Sequence, residues 1–375
     1  MSFRDVEVAV DEAVARGVFP GAVLLVREGT HFFYLRAFGH RSLLPATAPM
    51  REDTIFDVSS LTKAFATSVA MMLLLKEGKV RLDDRVTRFF HNFGVHGKTH
   101  ITFRHLLSHC SGLPSWRAYF KEVQAEERRE GRINFLGGPA AKAFVYQLIQ
   151  RERLEAEPGA QTVYSDVGFM LLGATIEQIS GQSLDRFCHE RIFKPLGLRS
   201  TGFVDLSMLR AKRLEPVSEM IAPTENCPWR KKILCGEVHD DNAYAMGGVA
   251  GHAGLFSSAK DLDALLCRLK DCYRNVGQMI PQRVMREFWS RDGTVRDSTW
   301  CLGWDSPAAA GSSAGTRFSA ASVGHLGFTG CSVWLDLEHD RHVILLSNRV
   351  HPSRTNEAIK AFRPLLHDLI VEALQ

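Results

Sequence analysis

Apolar and polar positions divide the chain into two strand-rich ends and a long helical middle. Over residues 3–16 the apolar positions Val6, Val10 and Val14 recur with helical spacing, and Gly17 ends the run. Residues 21–27 and 31–39 are β-rich runs joined through Glu28-Gly29-Thr30, which predicts a hairpin. Residues 64–75 are almost wholly apolar and predict a buried helix, followed by a cap and turn over 78–84. Helical periodicity then dominates to about residue 290, over 102–108, 140–153, 166–180, 183–192, 259–273 and 282–289. Strand-like runs return at 321–326, 332–337 and 342–347, and 355–374 predicts a last helix.

Strands contributed by both ends, with helices between, predict an α/β (α+β) fold. One antiparallel sheet of N- and C-terminal strands is flanked by helices and carries an inserted all-helical domain. The expected bounds are 1–75 with 290–375 for the discontinuous sheet domain, and 76–289 for the mainly helical domain with its cleft-lining loops. A ligand cleft is expected where the two meet. Residues 307–322, rich in Ala, Ser and Gly, predict a mobile connection back to the sheet.

Composition narrows the partners. The chain has 375 residues, 45% of them apolar and 23% charged, as in ordinary globular proteins. Its 46 Lys and Arg against 42 Asp and Glu are dispersed, and the nearest approach to a basic cluster is Trp229-Arg230-Lys231-Lys232, which argues against nucleic acid. The apolar run at 64–75 is shorter than the roughly 20 residues a membrane span needs, so no membrane partner is expected. The first residues carry acids where an export signal would carry a basic start, and the eight cysteines are scattered without C-x-x-C pairs. Both features point to reduced thiols and a cytoplasmic protein.

Candidate chemistry begins at Ser60-Leu61-Thr62-Lys63, at the mouth of the 64–75 run. In a helical first turn, residues three apart share a face, so the Lys63 amine meets the Ser60 hydroxyl. A buried lysine that is neutral part of the time can accept the serine proton and make a nucleophile. The helix N-terminus favours an oxyanion beside Ser60. An S-x-x-K spacing is common by chance, so its weight depends on the motifs that accompany it.

Those motifs run through the chain: Phe56-Asp57-Val58-Ser59-Ser60-Leu61-Thr62-Lys63, Ile101-Thr102-Phe103-Arg104-His105-Leu106-Leu107-Ser108-His109-Cys110-Ser111-Gly112-Leu113-Pro114, Tyr164-Ser165-Asp166, Gly247-Gly248-Val249-Ala250-Gly251-His252, and His325-Leu326-Gly327. In this order they resemble the serine β-lactamase and penicillin-binding protein superfamily, in the branch of class C β-lactamases, D-aminopeptidase and DD-peptidase relatives and esterases. The resemblance implies an acyl-enzyme on Ser60, with Lys63 and Tyr164 moving protons and the Ser60 and Phe328 N–H groups holding the oxyanion. A phenol beside Lys63 is expected to be partly ionised by that cation.

Two departures bear on substrate. Asp166 stands where the family's Y-x-N element has Asn, and its charge is expected to favour the Lys63 ammonium and move the base role towards Tyr164. His325 and Leu326 stand where penicillin-recognising relatives have Lys and Thr of K-T-G. A titratable cation therefore replaces a permanent one, and the hydroxyl that helps hold a β-lactam carboxylate is absent. Gly327 is expected to let the substrate backbone approach.

The other candidates are weaker. His252 is a candidate to line the cleft, and Glu225, Trp229 and His239, in a long non-periodic stretch, are candidates to shape its pocket. Arg349 offers a fork for a carboxylate or, equally, a surface salt bridge. His96, His100, His105 and His109 lack an H-E-x-x-H pattern, so no metal is expected, and the glycines at 247–254 make no phosphate cradle, so no cofactor is expected. The expected function is a serine hydrolase acting on a small ester or a D-amino-acid peptide, including a peptidoglycan fragment, with weak or no β-lactamase activity. The alternatives are a silent binding module of the same fold and a true class C-like β-lactamase.

Overall fold

The strand Gly21–Glu28 lies inside a six-stranded antiparallel sheet that joins the two ends of the chain. In a computed structural model describing residues 2–375, the strands run in the order Ala48–Pro49, Phe32–Ser42, Gly21–Glu28, Arg341–Ser347, Ser332–Asp336, Val323–Leu326. The N-terminal hairpin meets the C-terminal strands through a register from Ala22 opposite Ser347 to Glu28 opposite Arg341.

Side chains alternate across this sheet. Ala22, Leu24, Val26, Val343, Leu345 and Trp334 face the helices Phe3–Ala15 and Ile359–Ala373, while Val23, Leu25, Ile344, Leu346, Val333 and Leu335 face the larger core. With both faces covered, the strands are almost continuously apolar. The helix Ala259–Tyr273 packs on the larger-core face, against Gly21–Glu28 and Arg341–Ser347. It lies within 76–289, so the sheet layer draws on a segment beyond its expected bounds. A clamp fixes it there: Arg27 donates to both oxygens of Asp263 at 2.7 and 2.6 Å, and His342 Nε2 lies 2.7 Å from Asp263 Oδ1.

The helical region is centred on Asp166–Ser180, capped by the Ser165 hydroxyl at one end and by left-handed Gly181 at the other. Around it pack Phe103–Leu107, Pro139–Arg151, Leu184–Cys188 and the helix that follows Ser60. A further helix, Tyr119–Glu130, has no counterpart among the predicted ones. Only Tyr119 and Val123 are buried in its otherwise charged sequence, too few to mark a period. Two small strand sets accompany the helices, Phe56–Asp57 with Leu255–Ser257 and Gly202–Phe203, and Asn226–Cys227 with Lys232–Ile233. Strands of two or three residues leave no alternation to read.

Candidate active site

The site is built on a strained turn. Ser59 has φ +49°, a left-handed conformation that non-glycine residues rarely adopt, and it immediately precedes Ser60. Neighbours hold it there. The Ser59 N–H donates to Asp57 Oδ1 at 2.8 Å, the other Asp57 oxygen accepts the His239 N–H at 2.7 Å, and the Ser59 carbonyl accepts the Thr62 hydroxyl at 2.6 Å. Thr329 ties the opposite loop to the same turn through the Asp57 carbonyl at 2.7 Å. Ser60 therefore stands at the head of the buried helix.

That helix begins at Leu61 and opens into a π-helical segment, Lys63–Ser68, before continuing as Val69–Lys76. π-turns concentrate at functional sites, and this one carries Lys63, whose side chain is fully buried. Lys63 Nζ reaches Ser60 Oγ at 3.2 Å, the His252 carbonyl at 2.9 Å and Asp166 Oδ1 at 2.6 Å, so an acceptor stands within reach of each ammonium proton. Burial pulls Lys63 down, but the Asp166 carboxylate and Tyr164 outweigh it and hold the group above its ordinary value.

Tyr164 lies within hydrogen-bonding reach of Lys63 and Ser60, and its ring centroid is 4.9 Å from Lys63 Nζ. Burial pushes the phenol up, Lys63 opposes this, and Asp166 adds to it; the net direction is up. The expected partial ionisation of Tyr164 is thus overturned, because burial outweighs the Lys63 cation, with Asp166 adding to it. The resting site pairs an ammonium with a carboxylate beside a neutral phenol.

His109, read from sequence as part of a family segment and weighed there as a metal ligand, proves to brace this tyrosine. Its Nδ1 accepts the Ser165 N–H at 3.0 Å, and its ring packs 4.7 Å from Tyr164 and 4.3 Å from Trp300. Burial, reinforced by the charge of Lys63, keeps it neutral.

The edge strand Val323–Leu326 brings His325 to the cleft. Its Nδ1 is 2.8 Å from the Leu326 carbonyl, which can only accept, so the proton sits on Nδ1 and Nε2 presents a lone pair. Nε2 is buried without a partner among the described residues. Burial, with Lys63 adding to it, lowers His325 to about 3. The expected titratable cation is therefore a neutral acceptor at ordinary pH.

Gly327 also differs from expectation. A Cβ there would stand 2.5 Å from the Val58 carbonyl, so the missing side chain lets the loop press against the nucleophile turn and does not make room for substrate. Phe328 follows, half exposed and lining the cleft. Among the described residues neither the Ser60 nor the Phe328 N–H is taken up by a loop or turn carbonyl.

Arg349 and His252 are withdrawn from the cleft. The Arg349 guanidinium donates to the Phe328 carbonyl at 2.9 Å and to the Arg354 carbonyl at 3.1 Å, and lies over the Phe328 ring, 4.5 Å from its centroid. It buttresses the loop and offers no fork to a ligand. His252 is buried, with Nε2 2.9 Å from Asp240 Oδ1, and only its main-chain carbonyl reaches Lys63. Of the loop candidates, His239 lines the cleft. Glu225 stands behind it, 3.3 Å from His239 Nε2 and bonded to Arg354, and Trp229 donates to Asp241 at 3.0 Å.

The cleft encloses about 510 Å³. Besides the expected residues it is lined by Trp116, Trp300, Asp240 and Asp305, each on a loop or beside one with no periodic signal that would have singled it out. Elsewhere, ligand atoms of Asp263, Cys267 and His342 lie within 4.8 Å of one another, but Arg27 occupies both oxygens of Asp263, a set that fits a guanidinium better than an ion.

This arrangement is that of the serine hydrolases to which β-lactamases and penicillin-binding proteins belong, and the chain is a member of the Beta-lactamase family, whose sequence model matches residues 6–365. It is 32% identical over 361 residues to the putative D-alanyl-D-alanine carboxypeptidase of Escherichia coli (strain K12), spanning 89% of this chain and 79% of that protein. It is 31% identical over 376 residues to the N-acetylmuramyl-L-alanine amidase of Bacillus subtilis (strain 168), spanning 93% and 81%. Its fold is similar to that of the octameric penicillin-binding protein homologue from Pyrococcus abyssi, with a TM-score of 0.71 and 21% identity over 98% of this chain and 78% of that one. Among the described residues, no helix is long and apolar enough to cross a membrane.

Proposed function

We propose that the protein hydrolyses an ester or amide carbonyl through an acyl-enzyme on Ser60. The observation that carries this reading is the 3.2 Å approach of Lys63 Nζ to Ser60 Oγ at the wall of a closed-in cleft. Ser60 Oγ bonds to the carbonyl carbon as its proton passes to the Tyr164–Lys63 unit, which has first lost one proton to solvent. The carbonyl oxygen becomes an oxyanion held by the Ser60 and Phe328 N–H groups. The leaving group departs with the proton, and water then breaks the acyl–Oγ bond by the same route. Small esters and short peptides or amides, peptidoglycan fragments among them, rank above β-lactams, because no lysine stands at position 325 to hold a carboxylate. Eight unpaired cysteines support a cytoplasmic location.

The test is intact-protein mass spectrometry after a fluorophosphonate probe, p-nitrophenyl butyrate and benzylpenicillin, on wild type and Ser60→Ala. One adduct that is lost in Ser60→Ala, with fast ester turnover and slow penicillin acylation, is expected. No adduct with any reagent would favour a silent binding module.

A further inference from the structure

The charged groups that line the cleft are unbalanced. Asp166, Asp240, Asp241 and Asp305 face it against one guanidinium, Arg354. Three of the four acids already have partners: Asp166 the Lys63 amine, Asp240 the His252 ring nitrogen at 2.9 Å, and Asp241 the guanidiniums of Arg230 and Arg354. Asp305 is the exception. It accepts the Ser306 N–H at 2.9 Å and a bond from Thr299, while Arg291, whose charge it feels, donates to the Ser306 hydroxyl and the Pro307 carbonyl.

A second, independent feature belongs to the same wall. Asp305 pairs through its backbone with Gly324, the residue before His325. His325 Nε2 is a lone pair with no donor, on a side chain buried to all but a few per cent and lining the cleft. A buried acceptor is costly to leave unmatched, and no protein group here donates to this one. Beside it stands Trp300, its ring 5.7 Å from His325 and 5.4 Å from Tyr164. A carboxylate, a lone pair and an indole face together are the surroundings that hold an ammonium. A carboxylate ligand would meet no donor at His325 and would be repelled by Asp305.

We infer that the cleft selects acyl substrates carrying a protonated amine close to the reacting carbonyl, seated between Asp305, His325 and Trp300, and disfavours substrates carrying a carboxylate there. This rests on the Ser60 reading and narrows it to amino-acyl amides or esters with a free amino group. Burial pushes the Asp305 carboxyl up, and an adjacent ammonium reverses that by favouring its ionised form.

Binding is read on Ser60→Ala, which cannot turn ligand over, through the fluorescence of the cleft tryptophans. The ligands are alanine benzylamide of either hand, its N-acetyl derivative and its N-succinyl derivative, which carry at the amino position an ammonium, a neutral amide, and a neutral amide extended by a terminal carboxylate. The free amine of one hand is expected to bind at least tenfold more tightly than the succinyl compound. Asp305→Asn should shrink that ratio severalfold, and His325→Lys should invert the order in favour of the succinyl compound. Equal affinities, a preference for the succinyl ligand, no binding by any of them, or a ratio untouched by Asp305→Asn overturns the inference. Failure of the hydrolase reading is seen separately, as loss of probe labelling at Ser60 in wild type.

Discussion

Lys63 Nζ lies 2.6 Å from Asp166 Oδ1, the residue at which this chain departs from the Y-x-N element it resembles. The pair sets the proton inventory of Ser60. Lys63 and Tyr164 are both held above their ordinary values, Lys63 by Asp166 against burial and Tyr164 chiefly by burial, and Asp166 acts upward on each. Acylation needs one proton to leave this unit, so kcat/KM should rise on the alkaline side. In Asp166→Asn, burial acts on Lys63 without its counter-charge and Tyr164 loses a neighbouring anion; both shifts run downward. The alkaline limb should then move to lower pH by about one unit or more. A pH–rate profile of the two proteins checks it, and an unmoved limb would remove Asp166 from the proton inventory.

The same pair makes a stability prediction. Removing one partner of a buried ion pair leaves the other uncompensated, at a cost of about 3–5 kcal/mol, whereas replacing both with uncharged groups costs much less. Lys63→Met should therefore lower the urea midpoint strongly, and Lys63→Met/Asp166→Asn should recover most of the loss while remaining inactive. Additive losses in the cycle would show that the two groups do not depend on each other.

How much of this was legible from the residues follows from distance along the chain. Ser60 and Lys63 are three residues apart, so a first helical turn brings them together, whereas Tyr164, just ahead of the Ser165 cap, and Asp166 were legible through the motif they share. The helix Asp166–Ser180 was readable to the residue because its cap, its apolar period and Gly181 all agree. The protonation states were not readable. That His325 is a neutral acceptor depends on burial and on the Leu326 carbonyl, and that Tyr164 is un-ionised depends on burial, with Asp166 from the same segment adding to it against Lys63 from a distant one. Trp300 and Asp305 reach the cleft on irregular chain, where no periodicity marks a side chain as inward-facing. Arg349 looked like a ligand fork because nothing local shows that three main-chain carbonyls already engage it.

Gly327 carries a prediction about the oxyanion site. In Gly327→Ala the new Cβ, 2.5 Å from the Val58 carbonyl, must push apart the loop bearing the Phe328 N–H and the turn bearing Ser60. Small displacements of oriented groups can cost about 100-fold in rate. The expected result is a fall in kcat of that order with slower probe labelling, while the protein remains folded by circular dichroism. Near-wild-type kcat would show that Phe328 does not contribute to the oxyanion site.

The clamp behind the sheet makes the last prediction, and its sign can be worked out from Asp263. Burial alone would raise this carboxyl, but the Arg27 guanidinium and His342 outweigh it and bring it down to about 2. A carboxylate depressed by folding contributes stability above the unfolded value, ordinarily 3.8, and that contribution is lost as pH falls through the folded value. Asp263→Asn should thus be less stable than wild type at neutral pH by about 2 kcal/mol, the scale of hydrogen bonds to a charged group. The gap should hold from pH 7 to about pH 4, narrow between 4 and 2, and close below that. Urea midpoints of both proteins across this range measure it. Because the clamp joins Ala259–Tyr273 to Gly21–Glu28 and Arg341–Ser347 and has no contact with Ser60, probe labelling of Asp263→Asn at neutral pH should match wild type. A gap that does not depend on pH would mean that the ionised form of Asp263 is not what holds the helix to the sheet.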